Sequence, residues 1–402
     1  PSESWIVYED DHILVVDKPA GVPSQSAEEG GDDDLRSRLR RYLAKRRGVA
    51  EDDVYLGVHQ RLDQDTSGLL LFTLRKEANA ALSRQLETRS VIKRYVAVVS
   101  GEPSALAALR GKSGEERVVE HFLAKGQDGL VRVTDARDRL AKQARLRLRV
   151  LRVVDDRALV HVTLETGRTH QIRVQLAALG APIAGDALYG TAPAFRLMLH
   201  ASELSVAHPA DDTRSLELKS EPTLELLDFL EHGARSAASM PELASRALSV
   251  ALQRRYRLLR EHVAGITTTF RLLHDAADGF PGLAAEVFAD FLVLRLIGEA
   301  SEPELETTRG VLSALGFSGM YLKRHPKQGN ELVDPRNEVN APTAPIEGVA
   351  APAELVVEER GLRFTVRLAD GLRTGLLLDQ RDNRQRIRNL AEGKRVLNLL
   401  AY

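Results

Sequence analysis

The chain has 402 residues, 43% hydrophobic and 28% charged, an ordinary globular balance that excludes a largely disordered or fibrous chain. Its 56 Lys and Arg against 57 Asp and Glu leave a formal net charge of −1, so a generally basic nucleic-acid coat is excluded and a local basic face is not. The absence of cysteine excludes disulfides, Cys–zinc sites and Cys nucleophiles; it suits a reducing compartment, and a cytoplasmic location is expected. No window holds about 18 uninterrupted apolar residues, so no membrane span is expected. The chain starts at Pro1 without a signal-like segment and stops within the apolar run Val396–Tyr402, so it reads as a fragment.

In chain order, Trp5–Tyr8 and Ile13–Val16 read as two strands around the turn Glu9–His12, closed by Pro19-Ala20-Gly21. Leu35, Leu39, Tyr42 and Leu43 recur at helical spacing from Asp32–Asp34 to Gly48. That helix carries seven basic residues and no acid, including Arg36, Arg40 and Arg41. It is a solvated face or a phosphate-contacting one. Leu69–Phe72 reads as a strand buried on both faces, followed by a helix over Glu77–Glu87 and a strand over Tyr95–Val99. Arg145, Arg147 and Arg149 alternate with Leu146, Leu148 and Val150, a strand with one wet basic face. Ala158–Leu164 is a further strand, and Gln171–Leu179 a short helix closed by Gly180. The pattern is α+β.

After His208 the character changes. Residues 209–240 read as turns with one short helix, Leu224–Leu230, and His232–Ser236 as a linker. One helix is expected over Glu242–Val263, a strand at Phe291–Leu294, and a helix capped by Ser301 with Pro303 in its first turn. Residues 341–352 read as a loop, Leu362–Leu368 as a strand, Asp382–Leu390 as a charged helix and Lys394–Leu400 as another strand.

Three segments carry the candidate chemistry: His59-Gln60-Arg61-Leu62-Asp63-Gln64-Asp65-Thr66-Ser67-Gly68-Leu69, Lys93-Arg94-Tyr95, and Thr166-Gly167-Arg168-Thr169-His170-Gln171-Ile172-Arg173 with Gly185-Asp186-Ala187-Leu188-Tyr189-Gly190. Residue types place carboxylates in a polar loop before a buried strand, with basic residues and an aromatic hydroxyl elsewhere. A carboxylate held by an arginine stays ionised through neutral pH and can attack or stabilise an electron-poor carbon. Asp186 and Tyr189 read as turn-shaping residues, and Thr66, Ser67 and Gly68 as setting loop geometry.

Together these segments, with Val15-Val16-Asp17-Lys18-Pro19-Ala20-Gly21, resemble the RluA-type RNA pseudouridine synthases, whose hallmark is an Arg-Leu-Asp motif, over about residues 5–209. The resemblance implies a central, mostly antiparallel mixed sheet with a cleft. It implies Asp63 as the catalytic carboxylate and Tyr95 as the ring stacked on the target base, able also to serve in proton transfer. Arg173 is implied to pair with Asp63 and keep it charged, and Arg61 to enter the RNA beside the extruded nucleotide; Arg168 is a further RNA-contact candidate. No metal or organic cofactor is expected, and structured ribosomal or transfer RNA is the expected partner. Gln60 separates His59 from Arg61, so no role passes to His59.

Farther on, Thr374-Gly375 to Arg381 and the strand Val396–Leu399 resemble S-adenosylmethionine-dependent methyltransferases of large-subunit ribosomal RNA (RlmI-like), cut off before the Gly-rich turn of their Rossmann-like domain. Thr374, Gly375, Asp379, Gln380 and Arg381 are then expected to border S-adenosylmethionine in the intact protein only. The expected organisation is a synthase domain over 1–232, a helical linker over 233–264, a methyltransferase-type central domain over 265–350, and a hairpin with the start of a methyltransferase domain over 351–402. Two rival functions stand beside the synthase: a catalytically dead synthase fold that delivers a methyltransferase to RNA, and a glycosidase using Asp63 with Asp65.

Overall fold

The computed structural model describes residues 2–25, 33–111, 116–297, 300–325, 334 and 336–395. It divides into two compact units, Pro1–Arg235 and Ser236–Tyr402.

The first unit is mixed α+β. Its strands are β1 (Ile6–Glu9), β2 (Ile13–Lys18), β3 (Gly57–Val58), β4 (Ser67–Thr73), β5 (Ile92–Ser100), β6 (Arg117–Lys125), β7 (Val131–Thr134), β8 (Lys142–Val154), β9 (Arg157–Leu164), β10 (Leu199–His208) and β11 (Asp211–Lys219). Among the described residues they form one sheet in the order β1-β2-β4-β10-β5-β9-β8-β6-β7, with β3 on β4 and β11 on β10. Only the β4–β10 pairing is parallel. Helices α1 (Leu35–Arg47), α2 (Ala78–Glu87), α3 (Pro103–Ala108), α4 (Gln171–Ala178) and α5 (Leu224–His232) complete the unit.

The uninterrupted apolar run in β4 has a simple cause. Leu70 and Phe72 enter one core with Leu35, Leu39 and Leu43 of α1, while Leu69 and Leu71 enter a second with Leu82 of α2 and Leu204 of β10. A strand with apolar layers on both faces loses the alternation of a half-wet one. Helix α1 starts where the Asp34 carboxylate accepts from Ser37 N (2.7 Å), and it stops at Gly48, whose φ of +68° is left-handed.

The segment read as turns, residues 209–240, contains strand β11. It was hidden because it is a wet edge: only Leu216 of Asp211–Lys219 is buried. Strand β10 was also not anticipated, and it is central, pairing with β4 on one side and β5 on the other.

The second unit begins within the stretch expected as a helical linker. The single helix expected over Glu242–Val263 is two, α6 (Pro241–Arg254) and α7 (Tyr256–Val263). The break is Arg255, whose guanidinium donates to Asp278 (3.1 and 2.5 Å) and to Arg271 O (2.9 Å). Strands β12 (Thr269–His274), β13 (Leu283–Phe288), β14 (Phe291–Leu296), β15 (Gly319–Arg324) and β16 (Glu347–Gly348) form a sheet in that order. Helix α8 (Glu302–Ser313) joins the parallel pair β14–β15 and starts with a capping box between Ser301 and Glu304. The hairpin β17 (Leu355–Glu359) and β18 (Leu362–Val366) is followed by α9 (Arg381–Ala391). Of the strand expected at Lys394–Leu400, residues 396–400 lie outside the described residues. Among the described residues no helix is long and apolar enough to cross a membrane.

Candidate active site

Asp63 sits in the loop between β3 and β4, Tyr95 on β5 and Arg173 on α4. The sheet order brings the first two together, because Ala201 of β10 is the register partner of Gly68 in β4 and of Tyr95 in β5. Gly68 is required here. Its φ is +110°, and a Cβ would lie 2.3 Å from the Ala201 carbonyl oxygen.

The Asp63 loop is fastened to the segment after β2. Lys18 is fully buried, and its ammonium donates to the carbonyls of Pro19 (3.0 Å), Val22 (2.8 Å) and Gln64 (2.9 Å). Burial pushes Lys18 down to about 7, opposed by the charges of Asp65 and Asp63. Three carbonyl acceptors also favour the form with three N–H groups. Ser24 Oγ donates to Leu62 O (2.7 Å) and accepts from Leu62 N (3.0 Å), closing the clasp.

Arg173 NH1 donates to Asp63 Oδ2 (2.8 Å). Its Nε and NH2 form a bidentate pair with Asp186, both at 2.7 Å. The Asp63 side chain is 31% exposed, that of Arg173 10% and that of Asp186 0%. Burial opposes the Arg173 charge, and its bonds to Asp186 and Asp63 more than offset that, raising its pKa. Burial works against ionised Asp186 too, yet Arg173 and the Leu188 and Tyr189 N–H groups hold its pKa below the usual carboxylate value. Asp186 thus shapes the turn, as expected, and also carries Arg173, a role the sequence reading missed. A partner 13 residues away leaves no local signature.

Tyr95 is buried; that burial, with the Asp63 charge added, pushes its hydroxyl well above the ordinary tyrosine value. Asp63, Tyr95 and Arg173 line one cavity of about 470 Å³, which Arg61, Lys93 and Arg168 also line. Arg61 is exposed and makes no hydrogen bond or ion pair with a described residue. Arg168 donates through Nε to Gln143 O (3.0 Å). Asp65, the second carboxylate of the rival glycosidase reading, does not line this cavity.

Arg36, Arg40 and Arg41 do not line it either. Arg36 donates to Leu56 O (3.0 Å), and Arg40 to Val54 O (3.2 Å) and Glu51 O (2.7 Å), so both brace the loop after α1. In the β8 stripe, Arg145 and Arg147 both pair with Glu165 (2.8 and 2.6 Å). His59 lines the cavity and lies 3.2 Å from both Thr73 Oγ1 and Asn79 Oδ1.

In the second unit the residues expected to border the cofactor are placed individually as follows. Thr374 is buried, and its hydroxyl has no partner among the described residues. Gly375 is exposed at φ +87°, and Asp379 is exposed and accepts only from Gln380 (3.1 Å) among the described residues. Arg381 donates to Thr269 O (2.6 Å) and lies 3.6 Å from Glu359. The described residues thus offer a buried hydroxyl, an exposed carboxylate and an engaged guanidinium, and the expectation for S-adenosylmethionine concerns the intact protein.

A family model described as RNA pseudouridylate synthase matches residues 12–178. Ribosomal large subunit pseudouridine synthase D of Nitrosomonas europaea is 35% identical over 215 residues, 51% of this chain and 58% of that protein. Dual-specificity RNA pseudouridine synthase RluA of Escherichia coli (strain K12) is 34% identical over 226 residues, 52% of this chain and 90% of that protein. A solved structure, human RNA Pseudouridylate Synthase Domain Containing 1, is 27% identical, with a TM-score of 0.43 over 55% of this chain and 85% of the human one. The chain belongs to the RNA pseudouridylate synthase family. It spans 58% of the length of the Nitrosomonas relative, less than two thirds.

Proposed function

We propose that this chain is an RNA pseudouridine synthase that isomerises uridine in structured ribosomal or transfer RNA, with Asp63 as its catalytic carboxylate. The observation that carries the reading is the pairing of Asp63 with Arg173 at 2.8 Å inside a cavity that Tyr95 also lines.

The reaction breaks the glycosidic bond, turns the base and joins C5 to C1′. A base cannot be turned inside a stack, so the nucleotide must be flipped into the cavity. Asp63 then acts at the sugar, as nucleophile at C1′ or as base toward a glycal. Two of the three Arg173 nitrogens engage Asp186, so the trio Asp63–Arg173–Asp186 keeps one net negative charge. That charge faces the carbon that becomes electron-poor when the base leaves. Tyr95 offers a neutral ring for the base and a hydroxyl for proton transfer. Arg61, Lys93 and Arg168 in the cavity lining suit phosphate on either side of the flipped nucleotide. The isomerisation is redox-neutral and transfers no group to another molecule, so the reading assigns no cofactor.

The test is Asp63→Asn, incubated with uridine-labelled total RNA whose nucleosides and released bases are then chromatographed. We expect pseudouridine from the unaltered chain and none from Asp63→Asn at unchanged fold. A fully active Asp63→Asn protein overturns the reading. RNA binding without isomerisation by the unaltered chain points to the dead-fold rival, and free uracil to the glycosidase. For the second unit, the string Thr374–Arg381 supports a kinship with S-adenosylmethionine-dependent ribosomal RNA methyltransferases. No step is assigned to it.

A further inference from the structure

Within the Asp63 cavity the His170 side chain has no task so far. His170 immediately precedes α4 in a left-handed conformation (φ +52°, ψ +23°), which non-glycine residues adopt at a cost. Its Nδ1 lies 3.0 Å from the Tyr189 hydroxyl, and its Nε2 lies 3.9 Å from Asp63 Oδ1. The Tyr189 oxygen already accepts from Val131 N (3.2 Å). Among the described residues the Tyr189 proton has no acceptor other than His170 Nδ1. Tyr189 therefore donates to Nδ1, which places the imidazole proton on Nε2. A proton on Nε2 is also the arrangement that the nearby Asp63 charge favours, since a lone pair there would face a carboxylate. Burial pushes the His170 pKa below its ordinary value, opposed by the Asp63 charge, so the ring is neutral near pH 7. The result is a fixed N–H donor beside Asp63, with no described acceptor within hydrogen-bond distance.

We propose that His170 is a ribose-binding residue whose Nε2–H donates to the 2′-oxygen of the uridine held against Asp63. This rests on the synthase reading. On either route Asp63 must approach C1′ or C2′, so the sugar edge bearing the 2′-hydroxyl lies against its carboxylate. A donor 3.9 Å from that carboxylate reaches an acceptor at about 2.9 Å on the same edge. The base is directed to Tyr95, and the phosphates to Arg61 and Arg168. The 2′-hydroxyl accepts from His170 and keeps its own proton for Asp63. The contact distinguishes RNA from DNA at the target nucleotide itself.

The probe is a synthetic RNA stem-loop around the uridine mapped in the total-RNA assay, made with either uridine or 2′-deoxyuridine at that position. The unaltered chain should bind the deoxy probe roughly five- to tenfold more weakly, the size expected for one lost hydrogen bond. His170→Ala should narrow that ratio, leaving only the part that the 2′-hydroxyl's bond to Asp63 contributes. A purely structural His170 would weaken binding to both probes and preserve their ratio; a preserved ratio overturns the proposal. A second measurement needs no variant at this position. The ¹⁵N spectrum of His170 in the unaltered chain should show the Nε2–H tautomer, and Tyr189→Phe should release it to a mixture. An Nδ1–H tautomer in the unaltered chain also overturns the proposal. Absence of pseudouridine from the unaltered chain is a different outcome, because it removes the synthase reading itself.

Discussion

Arg173 binds two carboxylates unequally, and the inequality has consequences. Asp186 takes two of its donors and Asp63 one, so Asp186 fixes the plane of the guanidinium and Asp63 receives what is left over. Replacing Asp186 with Asn keeps the size and removes the charge of a side chain with no solvent contact. Breaking a buried pair of this kind costs roughly 3–5 kcal/mol, which urea denaturation measures. The loosened guanidinium should also lower kcat by roughly 100-fold while KM moves far less, because a misplaced electrostatic group harms the transition state more than the bound substrate. An Asp186→Asn protein with normal kcat would show that Arg173 is held by other means. At this scale the sequence was legible where ordered motifs converge: Asp63, Tyr95 and Arg173 were read from three separated strings, and they share one cavity. It was illegible where the decisive fact is direction. Arg36 and Arg40 look like phosphate contacts, but a long cationic side chain beside a loop finds carbonyl oxygens. His170 sits in a quoted string, yet its aim depends on a left-handed backbone and on Tyr189.

At the scale of elements, the β1–β2 turn shows how one side chain can set a hairpin and its acid sensitivity. Asp10 Oδ1 accepts from His12 N (2.8 Å) and Ile13 N (2.9 Å), and Oδ2 from Tyr8 (2.6 Å) and His208 (2.8 Å). Burial raises the pKa of Asp10, but those four donors outweigh it and hold the carboxylate at about 2. The folded value lies below the unfolded one, so the unfolded chain binds the proton more readily. The stabilisation is therefore present above about pH 4 and is lost as the pH falls through about 2. Discounted for solvent screening, it amounts to roughly 1–2 kcal/mol for this half-buried group. Asp10→Asn should lose about that much stability at neutral pH and should have a flatter stability curve between pH 4 and 2. An unchanged acid limb would mean that other groups control it. The hairpin was readable because its turn chemistry is local. Strands β10 and β11 were not, since β10 is identified by its two neighbours and β11 exposes nearly every side chain.

For the whole molecule, a net charge of −1 is compatible with the proposed RNA substrate through local distribution, with Arg61, Lys93 and Arg168 around one cavity. The two units carry separate cores, one containing Leu70, Phe72 and Val98 and the other Phe288, Val293 and Val357. Units with their own apolar cores unfold as their own cooperative steps. Calorimetry should therefore resolve two transitions, and Leu70→Ala should lower one of them. A fully buried leucine of this kind costs about 2–5 kcal/mol on truncation. Both transitions falling together would show a single cooperative block. Titration with S-adenosylmethionine should release no binding heat from this chain, given how Arg381 is engaged. The start of the second unit at Ser236 falls within the stretch read as a linker, His232–Ser236; the break at Arg255 was not legible, because the apolar periodicity of 242–263 runs straight through a kink at which Arg255 engages Asp278.

Strand β10 bears on the order in which the molecule is made. A ribosome releases Asp63 and Tyr95 long before Ala201, the residue that joins their strands. Until that residue emerges, β4 and β5 have no ladder between them, and the carboxylate has no neighbour to work with. A nascent chain arrested at residue 190 should therefore be catalytically silent, and one arrested with all of 1–235 outside the exit tunnel should turn over. On the proposed function, catalysis waits for the arrival of a spacer strand, one to which no reacting group is assigned.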